Sequence, residues 1–335
     1  NYDYELNEIF FKDLKIRKPN HFLNINLGTP LKNIGNLMIK LDDILDKIKP
    51  TCAIIYGDTN SCLSAIALKK KKIPIFHLEA GNRSFDEKIP EEVNRRIIDH
   101  VSDVNVVLTE HARRYLILEG INSEFIIKTG SFMREVLSLN LKRIKQSKIL
   151  SKLKLKKKNY LLFSFHREEN VDDINNLNDI MDTLDYLSKK FKMKCIISTH
   201  PRTKLRLSKA KKIVNKNLIF LKPMGFLDYN FLQINSFCTI SDSGTITEES
   251  DILNFPAVTI RNSHERPEGM DAGTLIMCGL KKLDVYRSVS FVTKSFKLRK
   301  RDKVFDYLPE SVSHKMIKII LSYTNLVNKK VWFKK

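Results

Sequence analysis

The sequence predicts an α/β protein built from two doubly wound, Rossmann-like domains that face a cleft. Short apolar runs alternate with segments of helical periodicity, and this alternation restarts after a charged break at residues 154–158. A β-α-β rhythm of this kind implies parallel sheets joined by right-handed crossovers. At 335 residues the chain is also long enough for two domains of ordinary size.

The first half of the chain begins with a helical segment at residues 2–11. A helix follows over residues 31–48, where apolar residues recur at helical spacing until Pro50 ends the pattern. The β-α-β rhythm then gives strands at residues 52–56, 73–78, 104–108 and 125–128, with helices at 61–70, 91–100 and 110–119. A long helix over 133–153 precedes the charged break, so we expect a first domain over residues 1–153.

The second half repeats the rhythm. Strands are predicted at residues 160–165, 195–199, 218–221, 237–240 and 257–260, and helices at 175–191, 227–234 and 245–253. We expect this second domain to cover residues 154–304. A final amphipathic helix at 312–326, within the segment 305–335, is expected to cross back to the first domain.

Polar residues follow many of the predicted strands. In open α/β sheets, ligands bind beyond the carboxyl ends of the strands. The residues gathered there are Gly57 to Thr59, His77, Glu79 to Arg83, Ser164, His166 to Asn170, His200 to Arg202, and the stretch from Asp242. We expect them to line the cleft.

The stretch TISDSGTITEES at residues 239–250 is the most informative motif. An apolar run ends in Asp242, Ser243 and Gly244, and a helix begins at Thr245. Backbone N–H groups, a hydroxyl and the positive end of a helix dipole bind a phosphate well. Glu248 and Glu249, in the first turns, would accept hydrogen bonds from a ribose beside that phosphate. A capped helix with acidic residues in its first turn explains the same pattern without a ligand.

Composition restricts the classes of protein. Hydrophobic residues make up 42% and charged residues 29% of the chain, and no apolar run is long enough to cross a bilayer. The five cysteines are widely spaced, as is typical of core residues in a reducing compartment. The net charge of +21 suits nucleic acid, but the lysines fall in runs without interleaved aromatic residues. We therefore expect no nucleic-acid or membrane partner.

Carboxylates cluster in the first domain. Asp58 and Glu79 end adjacent strands, and Glu91 begins a helix that carries Arg95 one turn later. Carboxylates near basic residues in a water-poor cleft have pKa values that are pushed apart, as paired acid/base catalysis requires. A buried ion-pair network joining Glu91 or Glu92 to Arg95 or Arg96 is the simpler interpretation of the helix.

His166 follows a strand and precedes Arg167, so it can donate to a phosphate or assist a leaving group; a histidine bonded to a backbone carbonyl is the alternative. His200 with Arg202 is a weaker case of the same kind. Metal binding is not expected, because no histidine pair stands at ligand spacing with a carboxylate. Ser243 lacks the pattern of a nucleophile elbow.

Six motifs in order resemble those of the non-hydrolysing UDP-N-acetylglucosamine 2-epimerase family. They are GDTNS (57–61), HLEAGNRSFD (77–86), PEEVNRR (90–96), FHREEN (165–170), SDSGTITEE (241–249) and HERPEGMDAGT (264–274). The EAGNR and SHERPEGMDAG forms most resemble the branch that 2-epimerises UDP-2-acetamido-2,6-dideoxy-L-talose to UDP-N-acetyl-L-fucosamine for capsule and O-antigen synthesis in bacteria.

This resemblance implies a GT-B fold and a reaction without cofactor or metal. A base takes the C2 proton, UDP leaves from C1, and UDP re-adds as a proton returns to the other face. By position, Asp58, Glu79 and Glu91 match the catalytic carboxylates, Arg95 the arginine of their helix, and His166 the histidine near the phosphates. The matched UDP-binding residues are Ser243, Gly244, Thr245, Glu249 and Tyr229, the last against uracil; Arg202 joins them as a phosphate donor.

The chain departs from the family pattern at its start. The family begins with a β-α-β unit and a GTRPE loop, and nothing here corresponds to them, so we expect an incomplete first sheet with an exposed edge. Three alternatives remain: a UDP-N-acetylglucosamine 2-epimerase, a GT-B glycosyltransferase, and a basic nucleic-acid-binding protein. The three carboxylates favour an epimerase over a glycosyltransferase. We further expect a cytoplasmic homodimer.

Overall fold

The computed structural model describes residues 8–25, 28–207, 213–263, 265–298 and 302–334, without the side chains of Arg202 and Lys297. These residues form two compact units. The first comprises the described residues of Asn1–Lys18 and Val136–Val304, and the second those of Pro19–Glu135 and Phe305–Lys335. Each unit contains one parallel sheet, of six and four strands respectively, so we call them the six-stranded and the four-stranded unit.

The four-stranded sheet has the order β1-β2-β3-β4. Its strands are β1 (Ala53–Tyr56), β2 (Ile75–Ala80), β3 (Val104–Val107) and β4 (Ile126–Lys128). The helices of this unit are α2 (Pro30–Ile48), α3 (Ala65–Lys70), α4 (Pro90–Val101), α5 (Glu110–Leu118) and α15 (Val312–Lys330). Strand β1 forms one edge of the sheet, and its Ile54 and Tyr56 side chains are exposed.

Apolar side chains cover both faces of this sheet. On one face Leu45 of α2 and Ile98 of α4 pack with Ile75 of β2. On the other face Met316 of α15 packs with Phe76. All four residues of β3 are buried, including the polar Asn105, as expected for a strand that is covered on both faces.

The six-stranded sheet has the order β10-β9-β8-β5-β6-β7. Its strands are β5 (Tyr160–Phe165), β6 (Lys194–Thr199), β7 (Leu218–Leu221), β8 (Cys238–Ser241), β9 (Ala257–Thr259) and β10 (Ile276–Met277). The chain runs outward from β5 through β6 to β7 and then returns to the other side of β5 with β8. This reversal lies between β5 and β8, and such switch points are where doubly wound sheets bind ligands.

Helices of this unit flank the sheet. They are α1 (Glu8–Leu14), α7 (Ile149–Lys152), α8 (Glu168–Val171), α9 (Ile174–Phe191), α10 (Pro201–Leu207), α11 (Phe226–Asn235), α12 (Ile246–Leu253), α13 (Pro267–Asp271) and α14 (Lys282–Leu298), while α6 (Met133–Lys145) spans the unit boundary. None of the helices in the described part of the chain is long and apolar enough to cross a bilayer.

The predicted fold class is confirmed, but the helix predicted over residues 133–153 is wrong. Helix α6 ends in tight turns, in which Ser147 N donates to the Ile144 carbonyl. The Ser147 hydroxyl then accepts from Ile149 N at 3.2 Å and donates to Asp228 Oδ1 at 2.5 Å. A side chain that bonds to the backbone competes with helix continuation. The prediction also missed α14, and only part of the helix predicted over residues 2–11 falls within the described residues.

Candidate active site

The phosphate loop predicted at residues 242–245 lies at the switch point of the six-stranded sheet. It joins the end of β8 to α12. Ser243 N donates to Ser241 Oγ at 3.0 Å, and the hydroxyls of Ser243 and Thr245 are 3.0 Å apart. Thr245, the N-cap residue, forms no side-chain cap bond. Thr247 N donates to the Gly244 carbonyl at 3.4 Å, so the helix begins directly at the loop. The start of α12 therefore places the positive end of a helix dipole where an anion would bind.

Charged side chains lie beneath Gly244. A Cβ atom there would be 3.6 Å from Glu265 Oε2, 3.9 Å from Arg167 Nη2 and 4.0 Å from Arg261 Nη1. Arg261 is bonded to Glu265 through both Nη atoms, at 2.8 and 2.9 Å, and Arg167 Nη2 is 3.2 Å from the same carboxylate. Arg167 Nη1 is also 4.0 Å from Glu169 Oε1. The cluster thus places two guanidiniums beside the loop, where they attract a diphosphate.

Arg261 and Glu265 were not predicted as site residues. Glu265 lies within the sixth motif and Arg261 just before it, but neither the motif nor their spacing predicts an ion pair next to Gly244.

His166 is held at the same switch point by Asp242. Asp242 is buried and accepts from the backbone N of His166 at 3.0 Å, from Arg167 N at 3.0 Å and from Asn170 Nδ2 at 3.0 Å. Burial alone would raise the pKa of Asp242, but His166 and these donors lower it. Asp242 is therefore the fixed anion on which His166 is oriented.

The imidazole of His166 is nearly half exposed, with Nδ1 3.2 Å from Asp242 Oδ1. Burial on its own would lower the pKa of His166, but the hydrogen bond and charge of Asp242 raise it above the ordinary value. Asp242 engages Nδ1, so Nε2 is the ring nitrogen from which a protonated His166 can donate to an anionic oxygen.

A cavity of ≈ 260 Å³ adjoins this loop. Among the predicted site residues it is lined by His166, Ser243, Thr245, Glu249 and Tyr229. Additional lining residues are Phe10, Pro223, Met224, Phe226, Asn230 and His200. Apolar walls with a few convergent polar groups are typical of a small-molecule site.

Glu248 and Glu249 have different surroundings, although their position in the helix alone could not separate them. Arg266 Nε donates to Glu248 at 3.3 Å. Glu249 lines the cavity and accepts from Gln233 Nε2 at 2.6 Å and from Thr245 Oγ1 at 3.1 Å. Burial raises the pKa of Glu249. Of the two carboxylates, Glu249 is the one positioned to meet a ligand.

Tyr229 presents its ring to the cavity while its hydroxyl is engaged elsewhere. Tyr229 OH donates to Ser164 Oγ at 2.9 Å, and Ser164 Oγ is 2.8 Å from Ser241 Oγ. These bonds orient the ring. Arg202 lies in α10, but its side chain is outside the described part of the structure, as is His264 of the sixth motif.

The predicted carboxylates belong to the four-stranded unit. Asp58 follows β1, and its Oδ2 accepts from Arg95 Nε at 2.7 Å. Asn94 Nδ2 donates to the Asp58 carbonyl at 2.9 Å. Arg95 Nη1 also donates to Glu92 Oε2 at 2.8 Å, so the ion pair foreseen on α4 does form, with Glu92 and not with Glu91.

Glu91 is half-buried, and its carboxylate has no hydrogen bond or ion pair with the residues that the structure describes. Glu92, by contrast, is fully buried and accepts from Ser84 N at 2.9 Å and from Phe85 N at 3.3 Å. Glu92 therefore has a structural role, and Glu91 is the acidic residue at the start of α4 that can act as an acid or base.

Glu79 has an unusual backbone. Its φ is +69°, and the register between β2 and β3 shifts between Leu78 and Ala80. A non-glycine residue in the left-handed region costs about 1 kcal/mol or more, and such residues concentrate at functional sites. Its Oε1 accepts from Asn82 Nδ2 at 3.1 Å, and its Oε2 would be 3.7 Å from a Cβ at Gly57. The bulge thus brings the Glu79 carboxylate beside the turn that carries Asp58.

The comparison with known proteins decides the family. The sequence matches the family model described as UDP-N-acetylglucosamine 2-epimerase over residues 1–321. The chain belongs to this family. It is accordingly an enzyme of the isomerase class, and the resemblance seen in its six motifs is confirmed at the level of the family.

Relatives of the UDP-N-acetylglucosamine 2-epimerase family cover nearly the whole chain. A UDP-N-acetylglucosamine 2-epimerase homolog from Methanococcus maripaludis is 39% identical over 297 residues, 87% of this chain and 82% of the relative. The structure of UDP-N-acetylglucosamine 2-epimerase from Rickettsia bellii is 50% identical with a TM-score of 0.92, covering 100% of this chain and 90% of that one.

The Methanocaldococcus jannaschii enzyme, solved in complex with UDP-GlcNAc and UDP, is 31% identical with a TM-score of 0.88, covering 96% of this chain and 89% of that one. Together these neighbours confirm the GT-B fold class.

Proposed function

We propose that this chain is a UDP-N-acetyl-sugar 2-epimerase that inverts C2 by elimination and re-addition of UDP, without a cofactor or metal. The observation that carries the proposal is the phosphate loop of the six-stranded unit, with His166 held by Asp242 on one side and buried Glu249 on the other, both at one cavity. A nucleoside diphosphate has matching groups, two phosphates for the loop and a ribose diol for the carboxylate. The UDP bound by the M. jannaschii relative supports this assignment.

Within this proposal the six-stranded unit holds UDP. The start of α12, the hydroxyls of Ser243 and Thr245, and His166 contact the diphosphate. Glu249 accepts hydrogen bonds from the ribose hydroxyls, and the ring of Tyr229 contacts the base. Positive charge at His166 also stabilises the negative charge that UDP gains as it leaves.

The four-stranded unit supplies the proton chemistry through Asp58, Glu79 and Glu91. One carboxylate removes the C2 proton, the C2–H electron pair becomes the C1=C2 double bond, and the C1–O pair departs with UDP. In the reverse addition a carboxyl group delivers a proton to the opposite face of C2 while UDP attacks C1. Arg95 fixes the orientation of the Asp58 carboxylate by its 2.7 Å bond.

For the sugar we propose UDP-2-acetamido-2,6-dideoxy-L-talose, converted to UDP-N-acetyl-L-fucosamine for a bacterial surface polysaccharide. The EAGNR and SHERPEGMDAG stretches support this branch. The names of the relatives instead fit UDP-N-acetylglucosamine as the substrate, which is the second candidate. We also propose a cytoplasmic homodimer, for which sedimentation at several protein concentrations is the test.

Solvent isotope incorporation tests the reaction itself. We expect that turnover in D2O places deuterium at C2 of both epimers, because the proton lost from one face is replaced from solvent-equilibrated carboxyl groups. No added NAD or divalent metal should be needed. The rate should therefore be unchanged when EDTA is added and when NAD is omitted from the buffer. Epimers that interconvert without gaining deuterium at C2 would rule the mechanism out.

A further inference from the structure

A buried histidine in β2 has both ring nitrogens engaged. His77 is 1% exposed. Its Nδ1 is 2.8 Å from Asp99 Oδ1, and its Nε2 is 2.9 Å from the carbonyl oxygen of Gly57. A carbonyl oxygen only accepts hydrogen bonds, and so does an ionised carboxylate. Both bonds can therefore form together only when the ring carries a hydrogen on each nitrogen, as an imidazolium.

The surroundings of Asp99 require that its carboxyl group is ionised. Its Oδ2 lies 2.7 Å from Arg83 Nη1, and both carboxylate oxygens accept from Gly81 N, at 3.3 and 3.2 Å. Arg83 in turn donates to Glu119 from Nε at 2.8 Å and from Nη2 at 2.6 Å. Two cations, His77 and Arg83, thus balance two anions, which is the condition under which charges are tolerated in a protein interior.

The network holds the two turns that carry the proposed acid/base residues. Gly57 has φ +80° and immediately precedes Asp58; its carbonyl is the acceptor of His77 Nε2. Gly81 has φ +77° and lies two residues after Glu79; its N–H donates to Asp99. One hydrogen-bonded pair, His77 and Asp99, therefore ties both turns together.

We propose that His77 is a positioning residue for the epimerisation. As an imidazolium it donates to the Gly57 carbonyl and so fixes the backbone that presents Asp58. This inference rests on the proposed function. His77 lies behind the turn and acts on the reaction through the Gly57 carbonyl. Burial by itself would lower the pKa of His77, but Asp99, the Gly57 carbonyl and the charge of Glu79 raise it, which agrees with the geometry.

The charge state is tested on the wild-type protein by NMR of ¹⁵N-labelled histidine at pH 7.5. We expect one ring with two protonated nitrogens, both protected from solvent exchange, assigned by its proximity to Gly57 and Asp99. A neutral ring at this position, with a single protonated nitrogen, would overturn the proposal. This measurement does not depend on whether any variant folds.

The positioning role is tested with His77→Gln, using His100→Gln as the matched control because His100 is an exposed histidine on α4. We expect His77→Gln to lower kcat about 10- to 100-fold, the effect of a displacement of up to about 1 Å in a catalytic group. KM and the Kd for UDP should change less than twofold, and His100→Gln should leave all three unchanged. A folded His77→Gln protein with wild-type kcat would contradict the role.

The positioning role of His77 and the epimerase function can be disproved separately. If the wild-type enzyme exchanges the C2 hydrogen and His77→Gln does so equally fast, the positioning role is wrong and the epimerase stands. If the wild-type enzyme does not exchange the C2 hydrogen, the proposed function itself is wrong, whatever the NMR experiment shows about His77.

Discussion

Arg95 joins Asp58 to Glu92: its Nε donates to Asp58 at 2.7 Å and its Nη1 donates to Glu92 at 2.8 Å. Glu92 is fully buried, whereas Asp58 is partly exposed. A guanidinium is always charged and its donors have fixed directions, so Glu92 orients Arg95 and Arg95 orients Asp58. The sequence pattern of α4 suggested that the Glu92–Arg95 ion pair is purely structural. In the structure this pair also orients Asp58, the proposed catalytic carboxylate.

The proposed carboxylates and the proposed UDP contacts belong to different units, so we expect variants of the two sets to affect different steps. Asp58→Asn, Glu79→Gln and Glu91→Gln should abolish turnover but change the Kd for UDP less than about twofold, because the proposed UDP contacts belong to the six-stranded unit. Ser243→Ala and Glu249→Ala should weaken UDP binding about tenfold each, the cost of roughly one hydrogen bond to a charged group. Calorimetry with UDP measures both sets. Equal loss of UDP affinity in all five variants would show that the roles are misassigned.

The backbone at Glu79 predicts an inverted preference between alanine and glycine. Its φ of +69° is unfavourable for any residue with a Cβ. Both Glu79→Ala and Glu79→Gly should be inactive, but the glycine variant should be more stable by about 1 kcal/mol, since only glycine adopts this region without strain. Urea unfolding of the two variants measures the difference.

Val93, an exposed residue inside helix α4, provides the matched control pair for that measurement. Val93→Ala should be more stable than Val93→Gly by about 1 kcal/mol, because glycine is a poor helix former. If alanine is preferred at both positions, the strained conformation at Glu79 is not populated in solution.

Glu249 predicts a pH-dependent stability. Burial raises its pKa in the folded protein above the unfolded value. The folded state then holds its proton more tightly than the unfolded state, so this group favours folding below the unfolded pKa. The favourable contribution is lost as pH rises through the folded pKa. Glu249→Gln removes the ionisation, and its Tm relative to wild type should therefore rise as the pH increases above the unfolded pKa of about 4.

Thermal melts of wild type and Glu249→Gln across that pH range measure this effect. Glu87→Gln is the control, because the Glu87 side chain is largely exposed. Its Tm difference from wild type should stay constant with pH. A Tm difference for Glu249→Gln that is also constant would mean that the carboxyl group is not perturbed by burial.

Much of the fold could be predicted because apolar periodicity is a local property. The strands at residues 160–165 and 218–221 have the predicted limits, and the segments after β5 and β8 lie side by side in the sheet. The break after α6 could not be predicted, because it depends on a hydrogen bond between Ser147 and Asp228, which are far apart in sequence.

Helical spacing alone could not choose between neighbouring acidic residues, and only the family resemblance singled out Glu91 and Glu249. Glu91 and Glu92 both begin α4, and only the packing of the loop at Ser84 shows which one is buried. Likewise, Glu248 accepts a hydrogen bond from Arg266, whereas Glu249 lines the cavity. These assignments depend on contacts made across the fold, whereas spacing along one helix turn leaves both candidates equivalent.

The sugar specificity is the last prediction. A 6-deoxy-talo sugar lacks the C6 hydroxyl of N-acetylglucosamine, so a pocket built for it needs no polar partner at that position. The L-configured ring also presents its substituents differently from the same UDP anchor. A pocket without a hydrogen bond to a hydroxyl rejects a substrate that carries one by only about a hundredfold. We therefore expect kcat/KM for UDP-2-acetamido-2,6-dideoxy-L-talose to exceed that for UDP-N-acetylglucosamine, with both measured on the same enzyme preparation. The hydroxyl accounts for at most about a hundredfold of the difference, and the ring configuration accounts for the rest. A preference for UDP-N-acetylglucosamine would overturn the assignment to the L-fucosamine branch, while the 2-epimerase assignment would stand, because the UDP clamp and the three carboxylates are common to both reactions.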